Sequence, residues 1–424
     1  MTGTMTMIRT IGRSIILTGS IVLSNLAQAE IVTYDDLPRL VRSKNRLVQA
    51  STANASAMEV RSSFLSQSFL PKISATTGTQ LLETKSLTSH PIQAYRIESY
   101  INVYNGGRDE LEEKIRETVH QAATIEISRD LTQQLLVARR LYWRILSIQQ
   151  LIELQEQALA RNIEHIKAAK QRIAAGVATR SDLLQFELQG TTLTQDVKRT
   201  MLDLDVAKNQ LTITIGVSDH SDMQIKGFLT HPPHLELRNS QINPANLPEI
   251  AALKKRKNAL ELEAEKFNTA WAPQLDVYSD FGQPTYIDRD ARVGSERIEW
   301  FLGLRIKLDL SDSVTDKKDA TAKRLLAQAA DLRAENQLQQ VQALQHELQH
   351  ELPLQHELLH DADTTSMQAE QLMELTMDEY NRGVKNGTEL LAAAQQLLAV
   401  QKRGIEQRRD YYITRSELLS LLGN

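Results

Sequence analysis

The chain has 424 residues, 41% hydrophobic and 24% charged, with a formal net charge of −4 and no cysteine. That balance offers no electrostatic basis for binding nucleic acid. The lack of cysteine excludes disulfides and a lipid on an N-terminal thiol, so stability must come from packing or assembly.

Arg9 and Arg13 precede an apolar stretch from Ile15 to Leu26, followed by Ala27-Gln28-Ala29. A basic segment, an apolar segment and a small-x-small site in that order predict a signal peptide over residues 1–29, with either Met1 or Met7 as the start. An uncleaved anchor is the other reading. The apolar stretch is short and interrupted by Thr18, Gly19, Ser20 and Ser24, which disfavours a spanning helix. No later run of about 18 apolar residues occurs. A β-barrel is not excluded by this, because its strands leave only an alternation over about ten residues.

After a first helical segment come two strands. Ile73 to Leu81 is rich in Ser and Thr, while Tyr95, Ile97, Ile101 and Val103 alternate with Arg96, Glu98, Asn102 and Tyr104. From Asp109 to Ala174 no proline or glycine occurs, and Leu141, Ile145, Ile148, Ile152, Leu159, Ile163, Ile166 and Ile173 recur at coiled-coil steps. At 1.5 Å per residue such a helix is a rod of about 100 Å. A partner helix is expected from Asp182 to Ile215, with Leu193, Val197, Met201, Leu204 and Leu211 on its seam.

Pro232, Pro233, Pro244 and Pro248 mark residues 227–248 as a linker. The pattern then repeats. Leu275, Val277 and Phe281 alternate with polar residues, and from Ile298 to Leu310 every second residue is apolar. Long helices are expected from Ser313 to Tyr380 and from Glu389 to Leu422.

The two halves align. Phe69-Leu70-Pro71 matches Trp271-Ala272-Pro273, Ala175-Gly176-Val177 matches Arg382-Gly383-Val384, and Ile215-Gly216 matches Leu422-Gly423, each pair separated by roughly half the chain. Residues 30–226 and 249–424 therefore read as a tandem duplication. The apolar strand faces have no second layer to cover them, since the helices are occupied with their own seams. Lipid is one cover, with Tyr95, Tyr100, Tyr104, Tyr278, Tyr286 and Trp300 as interfacial girdles; a small soluble β-layer is the other. Four strands cannot close a barrel, and lipid does not tolerate open edges, so a membrane reading requires several chains to pool their strands.

With these parts, and with Tyr104-Asn105-Gly106-Gly107-Arg108 entering the long helix and Gly-Val-Ala-Thr-Arg-Ser-Asp-Leu-Leu from Gly176 to Leu184, the chain resembles the TolC family of outer-membrane efflux and secretion ducts over essentially its whole mature length. The resemblance implies a mainly α fold with a β-barrel part. It implies a homotrimer that pools four strands per chain into a 12-stranded barrel in outer-membrane lipid, continued by an α-helical periplasmic tunnel. It also implies a periplasmic adaptor protein, docked at the turns of Gly176, Val177, Gly383 and Val384, and an inner-membrane pump of RND or ABC type. Such a duct carries no catalysis and no cofactor. At its closed inner end Tyr380 would face Asp182, Lys385 would face Ser181, and Glu389 would form an acidic ring. The family's second acidic position is Ala392 here. Without the family, Asp182 and Glu389 read simply as carboxylates at helix starts. Cargo stays open among drugs, metal ions and polypeptides.

One segment points elsewhere. Leu344 to His360 contains His346-Glu347-Leu348-Gln349-His350 and His356-Glu357-Leu358-Leu359-His360, both of the H-E-x-x-H form of zinc proteases. His346, His350 and His356 even have the longer three-ligand spacing. Pro353, however, stands where that motif needs a glycine to turn, and three near copies of Gln-His-Glu-Leu arise by local duplication. The expectation is a polar stripe on a helix kinked at Pro353, with no metal. A soluble periplasmic coiled-coil scaffold and, more remotely, a zinc metalloprotease are the rival functions.

Overall fold

The computed structural model describes residues 31–84, 87–217, 223–230, 247–269, 271–282, 298–308 and 313–421. The signal peptide, most of the linker, Tyr286 and the Leu422-Gly423 end of the repeat lie outside the described residues. So do the last two residues of the strand expected to end at Leu310.

Four long helices dominate: α4 (Arg108–Ala174), α5 (Arg180–Ile215), α7 (Ser313–Arg382) and α8 (Gly387–Leu421). Their 67 and 70-residue members run to about 100 Å at 1.5 Å per residue. The α4 stretch contains neither proline nor glycine to break its backbone pattern, and α4, α5 and α7 stop where glycine permits a left-handed residue: Gly176 at φ +74°, Gly216 at +72° and Gly383 at +85°. The one proline inside these four helices, Pro353, lies within α7, which continues past it to Arg382. Shorter helices α1 (Leu37–Lys44), α2 (Arg46–Ser62), α3 (Leu65–Ser68) and α6 (Pro248–Asn268) precede the strands of each half.

α4 packs on α5, α7 on α8, and α6 on both α4 and α7. Ile145, Leu193, Val197 and Leu211 are buried as the seam pattern requires, but Ile163 and Met201 are exposed. Those two point away from the seam of a single chain.

Midway along the rods sits the main core. Here β1 (Ile31–Val32) pairs in parallel with β4 (Gln224–Ile225). Trp143 stacks on Tyr412 with centroids 4.1 Å apart, and Tyr34 and Tyr142 pack against Trp143 edge-on or tilted. The Tyr142 hydroxyl donates to the Lys226 carbonyl at 2.8 Å. Chain segments from the start, the middle and the end of the sequence are thus tied into one girdle. Asn45 adds a second tie: it caps α2 by accepting from Val48 N–H at 3.0 Å and donates to the Thr214 carbonyl at 2.6 Å.

At one end lies a four-stranded antiparallel sheet of β2 (Lys72–Thr84), β3 (Leu87–Asn105), β5 (Gln274–Gly282) and β6 (Glu299–Lys307), in the order β2-β3-β5-β6. The sheet joins the rods through a tight junction. Gly106 and Gly107 both take positive φ. A Cβ on Gly106 would lie 2.5 Å from the Ala272 Cβ. Arg108 donates to the Thr269 and Ala272 carbonyls at 3.3 Å. The strand-to-helix corner of the first half and the helix-to-strand corner of the second therefore brace each other.

Candidate functional site

Two regions carry chemistry: the sheet at one end and the paired turns at the other. Successive strand residues point to opposite faces, so the register sorts them. Ala75, Ile97, Phe281 and Trp300 form one row, and Ile101, Val277 and Leu304 another. Leu302 and Ile306 extend the same face. Apart from Thr77, Ser99 and Ser279 it is apolar, and it is uncovered: Trp300 is 75% exposed and Leu304 is 72% exposed. The reverse face holds the charges. Asp276 accepts from Asn102 at 2.8 Å and pairs with Arg305 at 3.1 Å, while Arg96 pairs with Asp280 at 3.4 Å. The Arg305 guanidinium lies 5.5 Å from the Tyr278 ring centre. This cross-strand ladder was missed at the level of sequence; its signal is the Asp, Arg and Asn residues alternating with the apolar ones.

At the far end the two halves build the same turn twice. Gly176 N–H donates to Ile173 and Val177 N–H to Arg172, both at 3.0 Å; Gly383 N–H donates to Tyr380 and Val384 N–H to Glu379, both at 2.9 Å. Each pair is a Schellman ending. Each following helix starts with a reciprocal cap. The Asp182 carboxylate accepts from Thr179 N–H at 3.1 Å and from its hydroxyl at 2.9 Å. The Glu389 carboxylate accepts from Asn386 N–H at 3.0 Å, and Asn386 Oδ1 accepts from Glu389 N–H at 2.9 Å. Within one chain, then, both acidic candidates act as N3 capping carboxylates. Glu389 is exposed and Asp182 half-buried. Val177 and Val384 form exposed apolar tips, 63% and 73% accessible.

Tyr380 is 1% exposed. Burial pushes its phenol pKa up; the Arg172 cation opposes that rise and the Asp182 charge adds to it. Among the described residues the Tyr380 hydroxyl makes no hydrogen bond, to Asp182 or to any other group. Its chief partner is Arg172, whose guanidinium lies 4.2 Å from the ring centre. Nothing in the sequence pattern singled Arg172 out. Within the single chain Lys385 pairs with Glu379 at 3.1 Å, and Ser181 is exposed.

Above these turns, His165 is 4% exposed. It lines a cavity of about 30 Å³ with Asn162, Gln189, Leu193, Met373 and Leu397. Burial, and then Arg161, lower its pKa. The unfolded chain accordingly binds a proton that the folded chain refuses. Stability is undiminished above the ordinary imidazole pKa of about 6.5 and falls as pH drops through it, until the folded-state value is reached. Melting temperatures measured between pH 7.5 and 5.5 should fall less steeply in His165→Gln than in the parent chain; parallel curves would assign the acid sensitivity to other groups.

The histidine block splits. The His346 and His350 rings come together with centroids 4.5 Å apart, but His356 turns to Tyr411 at 5.9 Å. Among the described residues no three His, Cys, Asp or Glu side chains gather into a metal-holding group.

No protein-family model matches the sequence, and no curated protein matches it. Structural comparison does find solved structures of similar fold. The Campylobacter jejuni CmeC outer membrane channel superposes with a TM-score of 0.78 at 12% identity, covering 92% of this chain and 85% of that one. The outer membrane protein VceC of Vibrio cholerae gives 0.76 at 13% identity, covering 92% and 96%. The open state of the Neisseria gonorrhoeae MtrE outer membrane channel gives 0.75 at 14% identity, covering 92% and 89%. The shared fold spans both the sheet and the long helices.

Proposed function

We propose that this chain, which has the fold of the TolC-type outer-membrane channels, is one subunit of a passive export duct that crosses the outer membrane and reaches through the periplasm. The observation that carries the reading is the sheet: a mainly apolar face left uncovered, a charged face behind it and, among the described residues, a single neighbour for each of β2 and β6. A bilayer covers the first, a water-filled lumen suits the second, and closure with other copies satisfies the edges. Three copies contribute 12 strands. The 9-residue strands β5 and β6 match the roughly 9–11 residues needed to cross lipid when tilted. No helix among the described residues is long and apolar enough to cross a membrane.

The rods form the periplasmic tunnel. Leu184, Leu188, Leu202 and Ile213 on α5, with Leu325, Leu332 and Leu375 on α7, are exposed in the single chain. Neighbouring copies would cover them, and would likewise cover Ile163. Residues 1–29 would direct export, and 30–226 and 249–424 would be the two copies of the repeat. The exposed Val177 and Val384 tips suit a periplasmic adaptor, which links the duct to an inner-membrane pump that supplies the energy. Tyr380, Asp182, Ser181 and Lys385 would hold the inner end shut, and Glu389 would ring it with carboxylates.

Reconstitution into planar bilayers tests this reading. The purified oligomer should give discrete channels. Glu389→Ala should weaken block by multivalent cations, and Tyr380→Phe with Asp182→Ala should raise conductance. Unchanged block would remove Glu389 from the pore, and unchanged conductance would move the closure elsewhere. A folded oligomer that forms no channels would refute the duct.

A further inference from the structure

We propose that His346 and His350 form a two-imidazole site for a borderline transition-metal dication, Cu²⁺, Ni²⁺ or Zn²⁺, on the open face of α7. The inference does not depend on the export reading. α7 runs without interruption through both positions, and residues four apart on a helix share one face with Cβ atoms about 5–6 Å apart. The two rings already lie 4.5 Å apart at their centroids, inclined by 57°. Both side chains are exposed, and among the described residues neither ring has a hydrogen-bond or ion-pair partner to give up.

Imidazole nitrogens suit these ions and bind them at about 2.0–2.1 Å in the zinc case. The torsion that swings each ring is soft, so the nitrogens can converge on one ion without moving the backbone. The third histidine of the sequence motif does not take part, because His356 packs on Tyr411. Water completes the coordination, which makes the site exchangeable rather than structural or hydrolytic. Mg²⁺ and Ca²⁺, which demand oxygen ligands, are excluded by the donor set. A bound ion clamps one turn of α7 and stabilises the folded chain by mass action.

The test is calorimetric titration of the detergent-solubilised full chain with CuCl₂ in a non-chelating buffer, with MgCl₂ as the control. One Cu²⁺ per chain is expected, weakened about tenfold or more by either His346→Ala or His350→Ala and unchanged by His360→Ala. Paramagnetic resonance of the bound Cu²⁺ should show coupling to two imidazole nitrogens. Since both side chains are exposed, circular dichroism should show the variants folded. Full affinity in the double variant, or an equal loss in His360→Ala, would overturn the site.

Discussion

Leu304→Arg is expected to keep the protein out of the outer membrane. Leu304 lies on the apolar face, in register with Val277 and Ile101, and is 72% exposed in the single chain. If that face meets lipid, an arginine near mid-depth costs about 2–4 kcal/mol per chain, and assembly multiplies the penalty by the number of copies. The natural control is Ser74→Arg on the reverse face, where Ser74 lies opposite Glu98. Fractionation should find Leu304→Arg unassembled and Ser74→Arg at parental levels in the outer membrane. Equal recovery of the two would mean that the apolar face is not a lipid face.

The largest effect on folding is expected at Gly216. This residue ends α5 with φ +72°, and a Cβ there would overlap the carbonyl of Lys44, which is backbone and has little room to yield. Backbone strain alone costs about 1–3 kcal/mol, and the overlap pushes the helix end away from the α1–α2 corner, where Asn45 holds the Thr214 carbonyl. Gly216→Ala should lose roughly 3 kcal/mol or more, read as a large drop in melting temperature. Gly176→Ala makes the contrast: its φ is +74° but open space surrounds the added carbon, so it should lose only about 1 kcal/mol. Similar drops for both would show that φ, and not the packing of α5 on the N-terminal helices, dominates at Gly216.

The rods and strands were legible because their signals are long and repeated. The 67 residues of α4 contain neither proline nor glycine, and the glycines that end α4, α5 and α7 occur in matching places. Apolar alternation from Trp300 to Ile306 placed β6 and its faces. Asp182 and Glu389 were also readable as helix-start carboxylates, and both cap their helices. Other features were not readable. β1 and β4 have two residues each, too few for a period, and they pair across most of the first half of the chain. The partners of Tyr380 and Lys385 depend on how helices pack: Arg172 reaches the Tyr380 ring from α4, and Glu379 takes Lys385 from the end of α7. Ile163 fits the seam pattern in sequence yet lies exposed on α4, because periodicity identifies an apolar face without saying which neighbour covers it. The histidine block was readable: four-residue spacing on a helix brings His346 and His350 together, while His356, off that face, packs on Tyr411.

The most direct test of the central claim is the mass of the species extracted by detergent from the outer-membrane fraction of cells expressing the full chain. Three copies per particle, recovered from that membrane, are predicted. A soluble single-chain species in the periplasm would contradict the account, because the apolar face of the sheet and the edges of β2 and β6 would then have to be stable in water.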